Sequence, residues 1–206
     1  MPLISRLFLF ALLFSASAAQ AGAQEEELLA PSVAAQMRGA IADLAAPRLV
    51  FATKAEGEAW LAEMSRRMEK RIPDEYTRIN LLTTVQYEAA RAGLDPALVL
   101  GLMQVESGFK KYAISSVSAR GYMQVMPFWV RYIGNSEHNL FHLRTNLRFG
   151  CTILRHYLDR EKGNLFLALG RYNGSRGKAE YPNMVFGAWK NWMYDAPAGI
   201  IQTAKN

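Results

Sequence analysis

The segment Asp95-Pro-Ala-Leu-Val-Leu-Gly-Leu-Met-Gln-Val-Glu106 constrains this chain more than any other, because it has a helical pattern and almost no polar face. Asp95 is placed to cap a helix and Pro96 to fill its first position. Leu98, Leu102 and Val105 form one stripe, and Val99 and Met103 fill the next. A helix that is apolar nearly all round has to be enclosed by other elements. The rest of the chain offers helices for that purpose. Residues 33–45 and 55–71 have amphipathic periods and are divided by Ala46-Pro47. Residues 74–92 carry Leu82, Val85 and Ala89 on one face and stop at Gly93. Pro127 opens a short helix to about Tyr132, and helices are expected over 145–161, 164–171 and 180–193. Residues 107–122 and 172–178 lack any helical period and read as loops, the first with room for short β pairing. With no long alternating strand and no repeat, the expected fold class is all-α.

The N-terminus reads as a targeting segment. Arg6 precedes the apolar run Leu7 to Phe14, and a small-residue stretch comes after it, with cleavage plausible after Ala18, Ala21 or Ala23. The run is shorter than the roughly 20 residues a helix needs to cross a bilayer. The expectation is a signal peptide over 1–23 and an exported mature chain without a transmembrane segment. Expected beyond it are a small helical extension over 24–72, a catalytic domain over 73–195 and a flexible tail over 196–206. Cys151 is the single cysteine and lies on a stripe with Leu147, Leu154 and Leu158, so it reads as a buried structural thiol.

Charge separates the two parts. Residues 24–72 carry 7 Lys/Arg against 8 Asp/Glu, whereas residues 73–206 carry 16 against 10. A basic surface suits an anionic polymer or simply keeps the protein soluble. Export argues against nucleic acid as that polymer. His138 and His142 have i, i+4 spacing but no HExxH motif accompanies them, so no metal site is expected, and His156 reads as a solvated helix residue. Gly170, Gly174 and Gly177 come after a helix rather than a strand and do not form a phosphate loop. No cofactor is implied.

Glu106 is the candidate for chemistry. No other Asp or Glu occurs between Asp95 and Glu137. A carboxyl at a helix C-terminus faces the negative end of the helix dipole, and apolar flanks add desolvation, so both effects favour the protonated form. That is the state a general acid near neutral pH requires. A surface Glu paired with Lys110 or Lys111 is the bland alternative.

Three motifs surround this acid: Glu106-Ser107, then Gly121-Tyr-Met-Gln-Val-Met-Pro127, then Arg171-Tyr-Asn-Gly174. Together, over roughly residues 85–185, they resemble the soluble lytic transglycosylase family, whose motifs are Glu-Ser, Gly-Leu-Met-Gln with a following Met-Pro, and Ala-Tyr-Asn-Ala-Gly. Tyr122 stands where that family has Leu, and Arg171 where it has a small residue. The resemblance implies a lysozyme-like fold of the goose type, with peptidoglycan as substrate in a bacterial, Gram-negative periplasm. It implies Glu106 as the catalytic acid/base, and Phe109, Ser115, Gln124, Met126, Tyr172, Asn173 and Tyr181 as glycan-contacting residues. Ser115 would lie near the N-acetyl group, and the Tyr172 hydroxyl would point at Glu106. The implied reaction cleaves the MurNAc-GlcNAc bond without water and leaves a 1,6-anhydromuramoyl end. A hydrolytic muramidase and a non-catalytic wall-binding module are the competing readings.

Overall fold

The computed structural model describes residues 24–43 and 45–195. The expected signal peptide and tail lie outside the described residues. Eight helices are formed among them: α1 Pro31–Ala42, α2 Lys54–Met68, α3 Glu75–Arg91, α4 Pro96–Glu106, α5 Phe128–Ile133, α6 Leu143–Arg160, α7 Leu165–Asn173 and α8 Glu180–Lys190. The described residues form no strand. Their only β pairing is two isolated bridges, Ile114 to Arg120 and Arg120 to Val125, so the chain is all-α as its periodicity requires.

Local chemistry sets the helix starts. Asp74, Asp95 and Asn164 each accept a hydrogen bond from a first-turn N–H, those of Thr77 at 2.8 Å, Ala97 at 2.8 Å and Leu167 at 3.1 Å. Gly93 takes a positive φ of 63° where α3 ends, and Leu94 closes the turn onto the Ala89 carbonyl at 2.9 Å.

Helix α4 is the enclosed helix. Val99, Leu100, Leu102 and Met103 are fully buried. Its main partner is α8. A Cβ on Gly101 would stand 2.7 Å from the Trp189 backbone nitrogen, so glycine lets the two helices touch backbone to backbone. Two indoles hold the ends of α4: Trp189 Nε1 donates to Asp95 at 2.8 Å, and Trp192 Nε1 donates to Gln104 at 3.0 Å.

The remaining helices wrap this pair. Leu81, Leu82 and Val85 of α3, Phe149, Ile153 and Leu154 of α6, and Met37, Trp60, Met64 and Met68 of α1 and α2 share one apolar cluster with α4. A buried ion pair stitches α3 to α6. Glu88 and Arg148 are 1% and 5% exposed and meet at 2.8 Å, while Arg91 of α3 also bonds the Ala40 carbonyl of α1 at 2.6 Å. Cys151 is buried and unpaired, as its stripe predicts. Burial pushes its thiol pKa well above the usual range.

Candidate active site

Glu106 is the last residue of α4 and is 6% exposed. The three residues after it fix its position. Ser107 caps the helix, and its hydroxyl donates to the Tyr122 carbonyl at 2.7 Å, tying the end of α4 to the loop below it. Gly108 and Phe109 then take φ of 57° and 65°, which turns the chain sharply away.

The loop is held from inside. Gln124 has a positive φ of 46° and donates through Nε2 to the carbonyls of Gly121 at 2.9 Å and Ala113 at 3.1 Å. Asn146, on the first turns of α6 and with no exposed surface, accepts from the Met123 N–H at 2.8 Å. Its amide donates to the carbonyls of Arg120 and Leu140, each at 2.8 Å. Gly121 has φ 75°, and a Cβ there would meet the Asn146 amide at 2.5 Å. Sequence reasoning does not single out Asn146. The available signal is an amide beside Leu147 and Phe149 on an apolar face, because a buried amide has to find partners.

Helix α8 brings the partner of the acid. The Tyr181 hydroxyl donates to Glu106 Oε1 at 2.5 Å. Glu106 Oε2 is buried and has no hydrogen-bond partner among the described residues. Burial pushes the Glu106 pKa up to about 8, and the Tyr181 hydrogen bond opposes that rise without cancelling it. The Tyr181 hydroxyl is itself held well above its ordinary value by burial and by the charge Glu106 would carry. A pKa of about 8 makes the protonated carboxyl the predominant form at neutral pH. With Oε1 accepting from Tyr181, the free oxygen Oε2 is where a proton can be offered.

The structure corrects several expectations drawn from the sequence. Tyr172 does not point at Glu106. Its ring is fully buried under the loop, and its hydroxyl donates to the Met123 carbonyl at 2.7 Å. Tyr181, expected only as a glycan contact, takes the place expected for Tyr172. Phe109 is not on an open cleft either. It is 5% exposed and packs edge-on against Trp192 at 5.5 Å, with the Arg71 guanidinium 6.0 Å above its ring. The reversal at Gly108 and Phe109 drives the side chain into the core. Gln124 is 2% exposed and spends its amide N–H groups on the loop backbone, so it shapes the loop rather than offering those donors to a ligand.

Ser115 is half-buried and accepts from the Ala119 N–H at 3.1 Å within its own turn. Met126 is half-buried against the core. Asn173 ends α7, donates to Ser175 Oγ at 3.1 Å and leaves its Oδ1 buried without a partner among the described residues. His138 accepts from the Asn135 N–H at 3.0 Å in a turn, since the helix begins only at Leu143, and the described residues hold no cluster of metal-ligating side chains. His156 is not solvated. It is half-buried, edge-on to Trp129 at 6.3 Å, and burial lowers its pKa.

The sequence pattern of the transglycosylase SLT domain matches residues 83–184. A transglycosylase of Enterobacteria phage PRD1 is 35% identical over 98 residues, covering 48% of this chain and 36% of that protein. The membrane-bound lytic murein transglycosylase C of Histophilus somni is 35% identical over 112 residues, covering 47% of this chain and 31% of that protein. This chain therefore spans about a third of the length of the relatives it matches. The X-ray structure of an inactive mutant of lytic transglycosylase Slt from Pseudomonas aeruginosa aligns with a TM-score of 0.41 and 19% identity, over 88% of this chain and 36% of that one. The matched region contains the Gly121–Pro127 turn that holds the loop and both partners of the short hydrogen bond, Glu106 and Tyr181. Through it, the chain belongs to the soluble lytic transglycosylase family.

Proposed function

We propose that this protein is an exported peptidoglycan lytic transglycosylase that cleaves the MurNAc-GlcNAc β-1,4 bond and leaves a 1,6-anhydromuramoyl end. The observation that carries this reading is the buried Glu106 carboxyl, pKa about 8, with one oxygen on Tyr181 and the other without a partner among the described residues. Residues 73–195 are proposed as the catalytic unit, with a lysozyme-like arrangement of its helices, and residues 24–72 as an extension packed on it. The periplasm is the proposed location. No helix among the described residues is long and apolar enough to cross a membrane.

The chemistry follows from the two oxygens. Oε2–H protonates the glycosidic oxygen, and the bond to the anomeric carbon breaks. The carboxylate so formed takes the proton of the C6 hydroxyl, and that oxygen closes onto C1. One group serves first as acid and then as base. Burial makes the carboxylate costly and so drives it to recover a proton, while the Tyr181 hydrogen bond keeps that cost within reach. Glycosidases with two carboxylates use the second as a nucleophile or a base. Here the other hidden acids, Glu88 and Glu161, are tied to arginines. The substrate's own N-acetyl oxygen is therefore the proposed stabiliser of the oxocarbenium-like centre. Because no water enters the bond, mass spectrometry of fragments released from purified wall separates this reading from the hydrolytic one. Anhydro ends lack one water relative to reducing ends, and fragments bearing only reducing ends would mean hydrolysis.

A further inference from the structure

Residues 24–27 precede α1 and pack onto the turn at 124–129 and onto α5, α6 and α7. Gln24 is 4% exposed. Its Oε1 accepts from the Trp129 indole N–H at 2.9 Å and from the Met126 backbone N–H at 3.4 Å, and its Nε2 donates to the Gln124 carbonyl at 3.4 Å. A carboxamide bonded at both ends and sealed from water is a docked group, not a passing contact. Two acids hold the segment down. Glu26 accepts from the Tyr132 hydroxyl at 2.6 Å and pairs with Arg131 at 3.3 Å. Glu27 pairs with Arg160 and, at 3.1 Å, with Arg171. Arg171 is the residue of the third motif that departs from the small side chain of the family pattern, and its work here is to anchor this segment and Glu161. Tyr172, the next residue, is fully buried with its hydroxyl on the Met123 carbonyl, beside the turn that takes Gln24. Burial first, then the charge Glu106 would carry, hold that hydroxyl well above its ordinary value.

The notch that takes Gln24 presents two N–H groups, from the Trp129 indole and the Met126 backbone, and one C=O, from Gln124. An acetamido group on an amino sugar carries the complementary pair, a carbonyl oxygen and an N–H, as does the Gln24 carboxamide. We propose that residues 24–27 are a self-occupying strap, with Gln24 standing in for a substrate acetamido group, which N-acetylated glycan must displace before it can seat. The inference rests on the lytic reading for its substrate, but occupancy of the notch can be measured without turnover. The ion pairs at Glu26 and Glu27 are partly exposed and screened by salt, so the strap is releasable.

The test compares the full chain with Gln24→Gly and Glu27→Ala. Calorimetry would measure affinity for tri-N-acetylchitotriose, wall digestion would give KM and kcat, and circular dichroism would verify that each variant is folded. Both variants should bind the trisaccharide roughly 3- to 30-fold more tightly and lower KM by a similar factor with little change in kcat. The gap for Glu27→Ala should narrow in high salt. Equal or weaker affinity in the folded variants overturns the strap, whatever the activity. An affinity gain with no product from any chain keeps the strap and ends the lytic reading.

Discussion

Glu106 ends α4 among apolar side chains with one phenol for company, whereas Glu161 comes just after α6, beneath two guanidinium groups. Both carboxyls are withdrawn from solvent, at 6% exposure for the Glu106 residue and 6% for the Glu161 side chain. Burial pushes Glu106 up to about 8, while hydrogen bonds from Arg176 and then Arg171 hold Glu161 at about 2. Low exposure alone therefore does not decide a proton's fate. The partner does, because an arginine supplies the opposite charge that stabilises a carboxylate and a tyrosine supplies only a dipole. One acid is set to exchange a proton at neutral pH, and the other is a permanent anion that fastens helices α6 and α7 and the residues after them.

The largest effect should come from removing the exchangeable proton. Glu106→Gln keeps the shape and should lower wall digestion by at least ~10²–10⁴-fold, the usual worth of a proton-transfer group. Activity near that of the parent in a folded Gln variant would break the comparison at its first term.

The same substitution should remove a pH dependence of stability. The folded-state pKa of Glu106 lies above its unfolded value of 4.5, so the native state holds a proton that the unfolded chain has released. Stability from this group is full below pH 4.5, declines as pH rises to about 8 and levels off above, with a total of at most ~5 kcal/mol. Glu106→Gln should therefore raise the melting temperature at pH 9 far more than at pH 4. Glu161 runs the other way. Its lowered pKa gives stability that is present above 4.5 and is lost as pH falls through about 2.

Next in size is Tyr181→Phe. Loss of a hydrogen bond to a charged or reacting group costs roughly 1.5–3 kcal/mol, or about ten- to hundredfold in rate. Because the Tyr181 bond lowers the Glu106 pKa, the falling alkaline limb of the activity profile should also move to higher pH. Tyr172→Phe should act differently, since its hydroxyl bonds the Met123 carbonyl. It should cost about 1–1.5 kcal/mol of stability and leave that limb in place. A Tyr172→Phe variant that shifted the limb while Tyr181→Phe did not would reverse the assignments drawn from the geometry. Arg176→Ala should matter least, costing ~0.5 kcal/mol in a urea melt near neutral pH, because Arg176 is 49% exposed and Arg171 remains on Glu161.

The helices are legible in the sequence because period and caps are local properties. Asp95-Pro96, Gly93 and Asn164 mark their ends, and the apolar circumference of α4 requires enclosure by the elements that surround it. The proton state of Glu106 is legible for the same reason, since its burial follows from its own helix. The identity of its partner is not. Motif order brings both Tyr172 and Tyr181 near the acid, but only the packing of α7 under the loop and of α8 against α4 decides which hydroxyl reaches it. Phe109 is misread from the sequence because nothing local announces a positive φ on a phenylalanine. Asn146 and Gln24 act on the 120–129 turn from about 20 and about 100 positions away, and a sequence scan has no means of joining them.

The most direct measurement is a carbon-detected NMR titration of the full chain carrying 13C at the glutamate side-chain carboxyl, with Glu106→Gln used to assign the resonance. A Glu106 inflection near pH 8 that moves upward in Tyr181→Phe is the predicted result. An inflection near 4.5, unmoved by Tyr181→Phe, would contradict it and leave the protein without a proton donor at the end of α4.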